Sequence, residues 1–112
     1  MQPKTDTKGN AMKVYTFYVG RNVSEGKTVV ETIDHETIVE VVKATLKGAT
    51  IYDAVGLWNG QEESTTVIQV IGNPIHAKHG HTIVPEAYRQ HLEWRFQQQS
   101  VLLTVHEVET YF

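Results

Sequence analysis

The 112-residue chain contains no cysteine, which excludes disulfide bonds, thiolate metal ligands and thiol catalysis. A chain without cysteine suits a reducing compartment, and we expect a cytoplasmic protein. No apolar run approaches the roughly 20 residues of a membrane-spanning helix, so no membrane association is predicted. The polar segment 1–11 lacks the apolar core of a signal peptide. We therefore predict a flexible N-terminal leader over residues 1–12 and a single domain over residues 13–112.

Positive charge and standard catalytic motifs are scarce as well. The chain has 10 Lys and Arg against 13 Asp and Glu, for a net charge of −3, and no basic stripe. Nucleic-acid binding is disfavoured, because it normally needs a cationic surface. The sequence has no P-loop, no G-x-G-x-x-G, no G-x-S-x-G and no H-E-x-x-H. A composition of 40% hydrophobic and 21% charged residues is nevertheless ordinary for a globular domain.

Hydrophobic periodicity predicts four strands and two helices. Residues rich in β-branched and aromatic side chains occupy 14–19, 50–58, 64–71 and 100–105, the last of these extending toward 108. Residues 21–31, with glycine and several charges, are expected to form a loop.

Each predicted helix has its own start and stop signals. Asp34 is a candidate N-cap for the first helix, and Gly48 is a candidate C′ residue after its last turn. Pro85 fits the first turn of the second helix, and Gln97–Gln99 are expected to close it. The buried stripes fall at helical spacing on Ile38, Val41, Val42 and Leu46 in the first helix, and on Tyr88, Leu92 and Phe96 in the second.

The resulting order, β-α-β-β-α-β, predicts an α+β domain with the ferredoxin-like pattern. Both helices would cover one face of a four-stranded antiparallel sheet. The third strand is almost continuously apolar or β-branched, and Leu102 adds to the other face. A bare second face would leave a large apolar patch, so we expect an oligomer that buries it, most simply a closed ring.

Aromatic and acidic residues concentrate between Gly48 and Val70. On a strand that begins near Thr50, one face carries Tyr52, Ala54, Gly56 and Trp58, whereas Ile51, Val55 and Leu57 take the opposite, helix-covered face. An Asn59-Gly60 turn and two carboxylates, Glu62 and Glu63, follow. The rings and a carboxylate on the paired strand could hold a cationic small molecule. In the alternative interpretation the aromatics pack at an interface and the acids lie at a solvated hairpin loop.

Histidines form a second, weaker signal. His76, His79 and His81 lie in an H-x-x-H-x-H segment that could bind zinc or copper. No acidic or cysteine ligand lies near, and a lysine sits among them, so a mobile, solvated loop is the competing interpretation. The other described candidates, His35, His91 and His106, are expected at surface, boundary or interface positions.

Several short segments resemble the small phage-encoded S-adenosylmethionine lyases, formerly called hydrolases. The matching segments are F-Y-V at 17–19, G-A-T-I-Y at 48–52, a tyrosine followed eleven residues later by glutamate (Tyr52 and Glu63), and E-W…Q-S-V-L over 93–102. The resemblance covers roughly residues 14–108. It implies a PII-like trimer of ferredoxin-like subunits, with substrate sites in clefts between subunits, in the cytoplasm of an infected bacterial host.

The resemblance also implies a reaction and its residues. S-adenosylmethionine would be split into 5′-methylthioadenosine and homoserine lactone, with no metal and no cofactor. Tyr52 and Glu63 would line the substrate site, with Trp58, Glu62 and Ser64 as neighbouring binding residues. The loop before the first helix is expected to contribute from its own or a neighbouring subunit. Two other functions stay open: a non-catalytic PII-like module that binds nucleotides, and a metal-binding or structural protein that uses the histidine segment.

Overall fold

The computed structural model describes residues 2–6 and 9–111. Part of the predicted leader (Met1, Thr7 and Lys8) and the last residue of the predicted domain (Phe112) lie outside the described residues. The elements in chain order are β1 (Met12–Gly20), β2 (Asn22–Glu25), β3 (Thr28–Thr32), α1 (His35–Thr45), β4 (Thr50–Trp58), β5 (Gln61–Gly72), β6 (Ile75–His76), β7 (Thr82–Ile83), α2 (Pro85–Arg95) and β8 (Leu102–Val108).

A four-stranded antiparallel sheet forms the centre of the domain, in the order β4-β5-β1-β8. The predicted α+β class, with this kind of sheet and two helices, is confirmed. The connections explain the order, since β4 and β5 form a hairpin while each helix connects two strands that lie on either side of a third. β5 and β1 are therefore the central strands, and β4 and β8 are the edges.

One face of the sheet packs against both helices and forms the core. Alternate β1 residues point into it, and Phe17 and Val19 are fully buried. The helices contribute the stripes that their spacing predicts, with Ile38 on α1 and Leu92 on α2 also fully buried. Phe17 meets Tyr88 edge to face, with ring centroids 5.3 Å apart. Two helices on one face leave the other face of the sheet, here called the open face, without a covering layer from the described part of the subunit.

Several element boundaries differ from the predictions. The predicted loop at 21–31 contains the β2–β3 hairpin, with a register shift at Val23/Ser24 and a turn at Gly26, whose φ is 60°. β5 begins at Gln61 because its pairing with β4 continues to the turn, so both glutamates lie within a strand. β8 begins at Leu102, two residues later than predicted, and reaches Val108.

The predicted stop signal holds for α2 and fails for α1. Helix α1 ends at Thr45 with Leu46 as C-cap in an extended conformation, so Gly48 is not its C′ residue. Helix α2 ends at Arg95 because Gln97 adopts the left-handed conformation, with φ of 53°, directly after the Phe96 C-cap. The predicted starts hold, since Asp34 is the N-cap of α1 and Pro85 opens α2.

The β4–β5 hairpin makes the domain elongated. The radius of gyration is 15.2 Å and the extents are 50 × 30 × 21 Å, whereas a compact chain of this length would have a radius of about 13 Å. Val55 and Leu57 point to the helix side but are 68% and 72% exposed. The prediction that the helices cover them was wrong, because the outer end of the hairpin extends past the helices.

The described residues before β1 fold back on the sheet. The Lys4 N–H donates to Thr110 O at 2.6 Å, and Thr5 forms an isolated bridge with Ala11. The predicted boundary between the leader (1–12) and the domain (13–112) falls at the start of β1, whose first residue is Met12. Among residues 2–6 and 9–111, no helix is long and apolar enough to cross a membrane.

Candidate functional site

The pairing register places the aromatic and small residues of β4 on the open face. Gly56 pairs with Glu63, Ala54 with Thr65 and Tyr52 with Val67. Because paired residues point to the same side of a sheet, Tyr52, Ala54, Gly56 and Trp58 form a row on this face, as predicted. We call these four residues, together with Glu63, the strip.

The carboxylate of Glu63 is fixed against the backbone of the neighbouring strand. The Asn22 N–H donates to Glu63 Oε2 at 3.1 Å. Gly20 makes this position possible, because a Cβ there would lie only 2.7 Å from the carboxyl carbon. Oε1 lies against Gly20 and accepts no hydrogen bond from the described part of the chain, so one carboxylate oxygen is anchored and the other still lacks a donor. This is an arrangement that suits an ammonium or another cationic donor.

Between Tyr52 and Trp58 the strip carries only Ala54 and Gly56, and we call this stretch of small residues the depression. A Cβ at Gly56 would approach Thr65 Oγ1 to 2.9 Å. The Thr65 hydroxyl donates instead to Glu63 O at 3.1 Å, which holds the backbone of β5 at this point. The side chains of Glu63 and Thr65 therefore occupy the positions that a Cβ at Gly20 or Gly56 would take, and on β4 the depression carries no side chain larger than the methyl group of Ala54.

Aromatic rings lie on either side of the depression. Tyr52 is 42% exposed and Trp58 is 80% exposed, so the strip is open to solvent in the single subunit. Tyr52 pairs with Val67, in the half of β5 that is nearer the core. Val67 lies four residues from Glu63, or about 13 Å along the strand. Tyr52 and Glu63 thus share a face without touching, and a ligand between them would span the depression.

Glu62 and Ser64 lie on the other face of the sheet. Glu62 pairs with Leu57 and Ser64 with Val55, all of which alternate with the strip residues. Of the predicted binding residues, the structure therefore brings Tyr52, Trp58 and Glu63 together and turns the side chains of Glu62 and Ser64 away.

An ion pair supports the strip from the helix side. Arg21 Nη2 lies 2.8 Å from Asp53 Oδ1, and the Arg21 side chain is 10% exposed. The Arg21 N–H donates to Ser64 O at 2.9 Å. These bonds tie the end of β1 to both strands of the hairpin, and they place the Arg21 guanidinium beneath the sheet rather than at the strip.

The histidine segment forms a hairpin of two short strands, β6 and β7. His76 is in β6, and the Ala77 N–H donates to His81 O at 2.8 Å. Over the described ranges, no group of three or more His, Cys, Asp or Glu residues could hold a metal ion. The hairpin separates the side chains: His76 lines one cleft, and His79 and His81 line another.

Sequence reasoning missed the residues that anchor Glu63. Asn22 and Gly20 lie more than forty positions away in the chain, in a segment that the composition marks as the start of a loop. Only the register of β1 against β5, in which Gly20 pairs with Thr65, brings them beside the carboxylate. Gly20, at the end of the aromatic strand, was the one sequence feature that could have indicated a close contact at this point.

Compared with protein-family models, curated proteins and solved structures, the chain matches none of them. The function is therefore inferred from the geometry of the strip and from the sequence segments 17–19, 48–52 and 93–102.

Proposed function

We propose that the protein is an S-adenosylmethionine lyase whose substrate lies along the strip, in a cleft between subunits of a PII-like homotrimer. The observation that carries the proposal is the placement of Glu63. Its carboxylate is half-anchored beside a depression bounded by Tyr52 and Trp58. S-adenosylmethionine combines a sulfonium, an ammonium and a flat adenine, and aromatic faces with one carboxylate attract such groups.

The proposed reaction needs no protein nucleophile. The substrate's own carboxylate oxygen attacks its γ-carbon, the carbon–sulfur bond breaks, and its electron pair stays on sulfur. The products are neutral 5′-methylthioadenosine and homoserine lactone, with no proton or water consumed. The protein's contribution is to hold the chain in the attack-ready conformer, and such positioning can contribute about 7–11 kcal/mol.

Glu63 is assigned to the substrate's ammonium group rather than to its sulfonium. The sulfonium charge disappears in the reaction, so an anion held against it would stabilise the ground state more than the transition state. The ammonium charge persists, so pairing it with Glu63 Oε1 orients the substrate at no such cost. Tyr52 offers its ring face or hydroxyl at the other end of the depression.

The topology of the sheet supports a more specific proposal than the α+β class, namely a ferredoxin-like, PII-like subunit. Its order β4-β5-β1-β8 corresponds to the β-α-β-β-α-β connections of that pattern. The open face carries both apolar and polar side chains; Ile71 and Leu102 are 56% and 58% exposed, whereas Val67 at its centre is 3% exposed. Burying this face against other copies would also enclose the strip, which is open in the single subunit.

The alternative of a nucleotide-binding module has less support. Phosphate recognition needs cationic groups at the site. Arg21, which contacts the strip strand at Asp53, is on the helix side and paired with that carboxylate. Calorimetry with adenine nucleotides tests this alternative, and tight nucleotide binding without turnover of S-adenosylmethionine would favour it.

Turnover of S-adenosylmethionine tests the lyase directly. Purified protein should convert it to 5′-methylthioadenosine, detected by chromatography. Glu63→Gln should lose about 10²-fold or more in rate, because the amide cannot pair with the ammonium as a charge. Glu62→Gln is the matched control, since it removes the same charge from the neighbouring residue on the other face, and it should stay active. No product above the Glu63→Gln background would refute the proposal.

Sedimentation tests the trimer. Leu102→Lys places a charge on the open face of β8, and we expect it to dissociate the oligomer. Val105→Lys is a matched control on the opposite face of the same strand, where the native valine is 46% exposed. A monomeric native protein, or dissociation by both variants alike, would contradict the trimer.

A further inference from the structure

The helix side of the domain holds a cleft that the proposed reaction does not use. It has a volume of about 320 Å³ and lies between the end of α1, the β6–β7 hairpin and α2. Its basic side chains are Lys78, His79, His81 and His91. The volume is at the lower end of the range of about 300–1,000 Å³ for small-molecule sites.

The cleft walls are held rigidly. The Lys78 N–H donates to Thr45 O at 3.0 Å, and the Lys47 N–H donates to His76 O at 3.0 Å, so the hairpin is tied to the end of α1. The turn closes at Gly80, whose φ of 98° favours glycine. A wall that is fixed before binding reduces the entropy that binding must overcome.

Tyr88 forms a buried wall of the cleft. It is 3% exposed, and its hydroxyl lies 2.6 Å from Thr45 Oγ1. Thr45 Oγ1 donates its proton to Val41 O at 2.8 Å, so the Tyr88 hydroxyl donates to Thr45. This bond fixes the ring. The His91 ring lies 6.0 Å from that of Tyr88 at an interplanar angle of 38°, so two flat groups line the same side.

The charge of the cleft has one sign. No Asp or Glu is among its lining residues. Within residues 2–6 and 9–111, Lys78, His79 and His81 have no ion pair with a carboxylate. The C-terminus of α1 offers a partial charge of only about −0.5, too little to neutralise Lys78. The remainder of the lining is apolar, from Ile83 and two alanines.

We propose that this cleft is a binding site for a small aromatic carboxylate, separate from the strip. The ring would lie against His91, whose imidazole is next to the buried Tyr88 ring, and the carboxylate would pair with Lys78 and accept hydrogen bonds from the hairpin imidazoles. A flat apolar body suits the ring wall and the aliphatic base, and the single negative charge suits a cleft with one unpaired lysine and several imidazole donors. These residues are Lys78, His79 and His81 from the second part of the H-x-x-H-x-H segment, together with the face of α2 that it approaches.

Benzoate and its neutral analogue benzamide test the proposal. Titration of the ¹⁵N-labelled protein with benzoate should give saturable shifts in the amides of the β6–β7 hairpin and of α2 near His91. Benzamide, with the same ring and no charge, should bind at least tenfold more weakly. Glu63→Gln should bind benzoate as the native protein does, so the outcome does not depend on the lyase proposal.

Lysine substitutions test which cationic side chain binds the carboxylate of benzoate. Lys78→Gln should weaken benzoate binding roughly tenfold, since a lost charge-assisted bond of about 1.4 kcal/mol corresponds to that factor. Lys43→Gln is the matched control, because Lys43 is exposed on α1, pairs with Glu40 and is absent from the cleft lining. Absence of saturable shifts, equal binding of benzamide, or equal effects of the two lysine variants would overturn the proposal.

Discussion

Replacing Gly20 with alanine should displace the Glu63 carboxylate while leaving the fold intact. The new Cβ would lie 2.7 Å from Glu63 Cδ and 2.9 Å from Oε2. Ordinary contact begins at about 3.5 Å, so the carboxyl group must move by roughly 1 Å. The atoms in the way are the far end of a flexible side chain, which can move at low cost. Gly20 does not have a positive φ, so alanine itself fits the backbone.

Two magnitudes follow from this displacement. Loss of the Asn22 N–H···Oε2 bond should lower the free energy of unfolding by at most about 1.5–3 kcal/mol, because the acceptor is charged. A misplacement of about 1 Å in a positioning group costs on the order of 10²-fold in rate. We therefore expect a large loss of S-adenosylmethionine turnover with a modest loss of stability.

Steady-state kinetics and urea denaturation measure the two effects separately. Gly48→Ala is the control, since a Cβ there meets nothing within 4 Å and the backbone is not left-handed. It should leave both quantities unchanged. If Gly20→Ala kept native turnover while Glu63→Gln lost it, the anchored position of the carboxylate would not matter, and the reasoning would be refuted.

Three further predictions concern the depression, a buried phenol and the start of β8. Gly56→Leu should fill the depression and raise KM for S-adenosylmethionine at least tenfold, whereas Val55→Leu, on the opposite face, should not; equal KM values would contradict the assigned site. Burial raises the pKa of Tyr88 above its ordinary value, so above about pH 10 the unfolded chain loses a proton that the folded chain keeps, and stability falls as pH rises. Alkaline denaturation should show a smaller fall for Tyr88→Phe, and an unchanged fall would exclude Tyr88 as a cause. Glu93→Leu should lower the free energy of unfolding by about 1–3 kcal/mol, because Glu93 Oε2 accepts from the buried Val101 N–H at 2.9 Å; an unchanged urea midpoint would show that the bond contributes little.

The sequence predicts the fold well where local periodicity and packing agree. The stripes on both helices and the alternation along β4 follow from burial on one side of each element, and the structure has the same residues in the core. Helix ends were less predictable. Gly48 looks like a stop signal, yet α1 ends earlier because the Lys47 and Lys78 N–H groups bond to the β6–β7 hairpin and to the last turn of the helix.

The site was only partly predictable, because it depends on contacts between distant strands. Alternation alone places Tyr52 and Trp58 on one face, but it does not say which of two adjacent glutamates shares that face. Pairing with Gly56 selects Glu63 and turns Glu62 away. The anchor at Asn22 needs the register of β1 against β5, which no local pattern contains.

The most direct test of the central claim is mass spectrometry of the products formed from S-adenosylmethionine in ¹⁸O-labelled water. Intramolecular displacement predicts 5′-methylthioadenosine together with homoserine lactone that carries no ¹⁸O when first formed. Glu63→Gln should yield neither product at a comparable rate. Unconsumed S-adenosylmethionine, or ¹⁸O-labelled homoserine with no lactone at early times, would contradict the account.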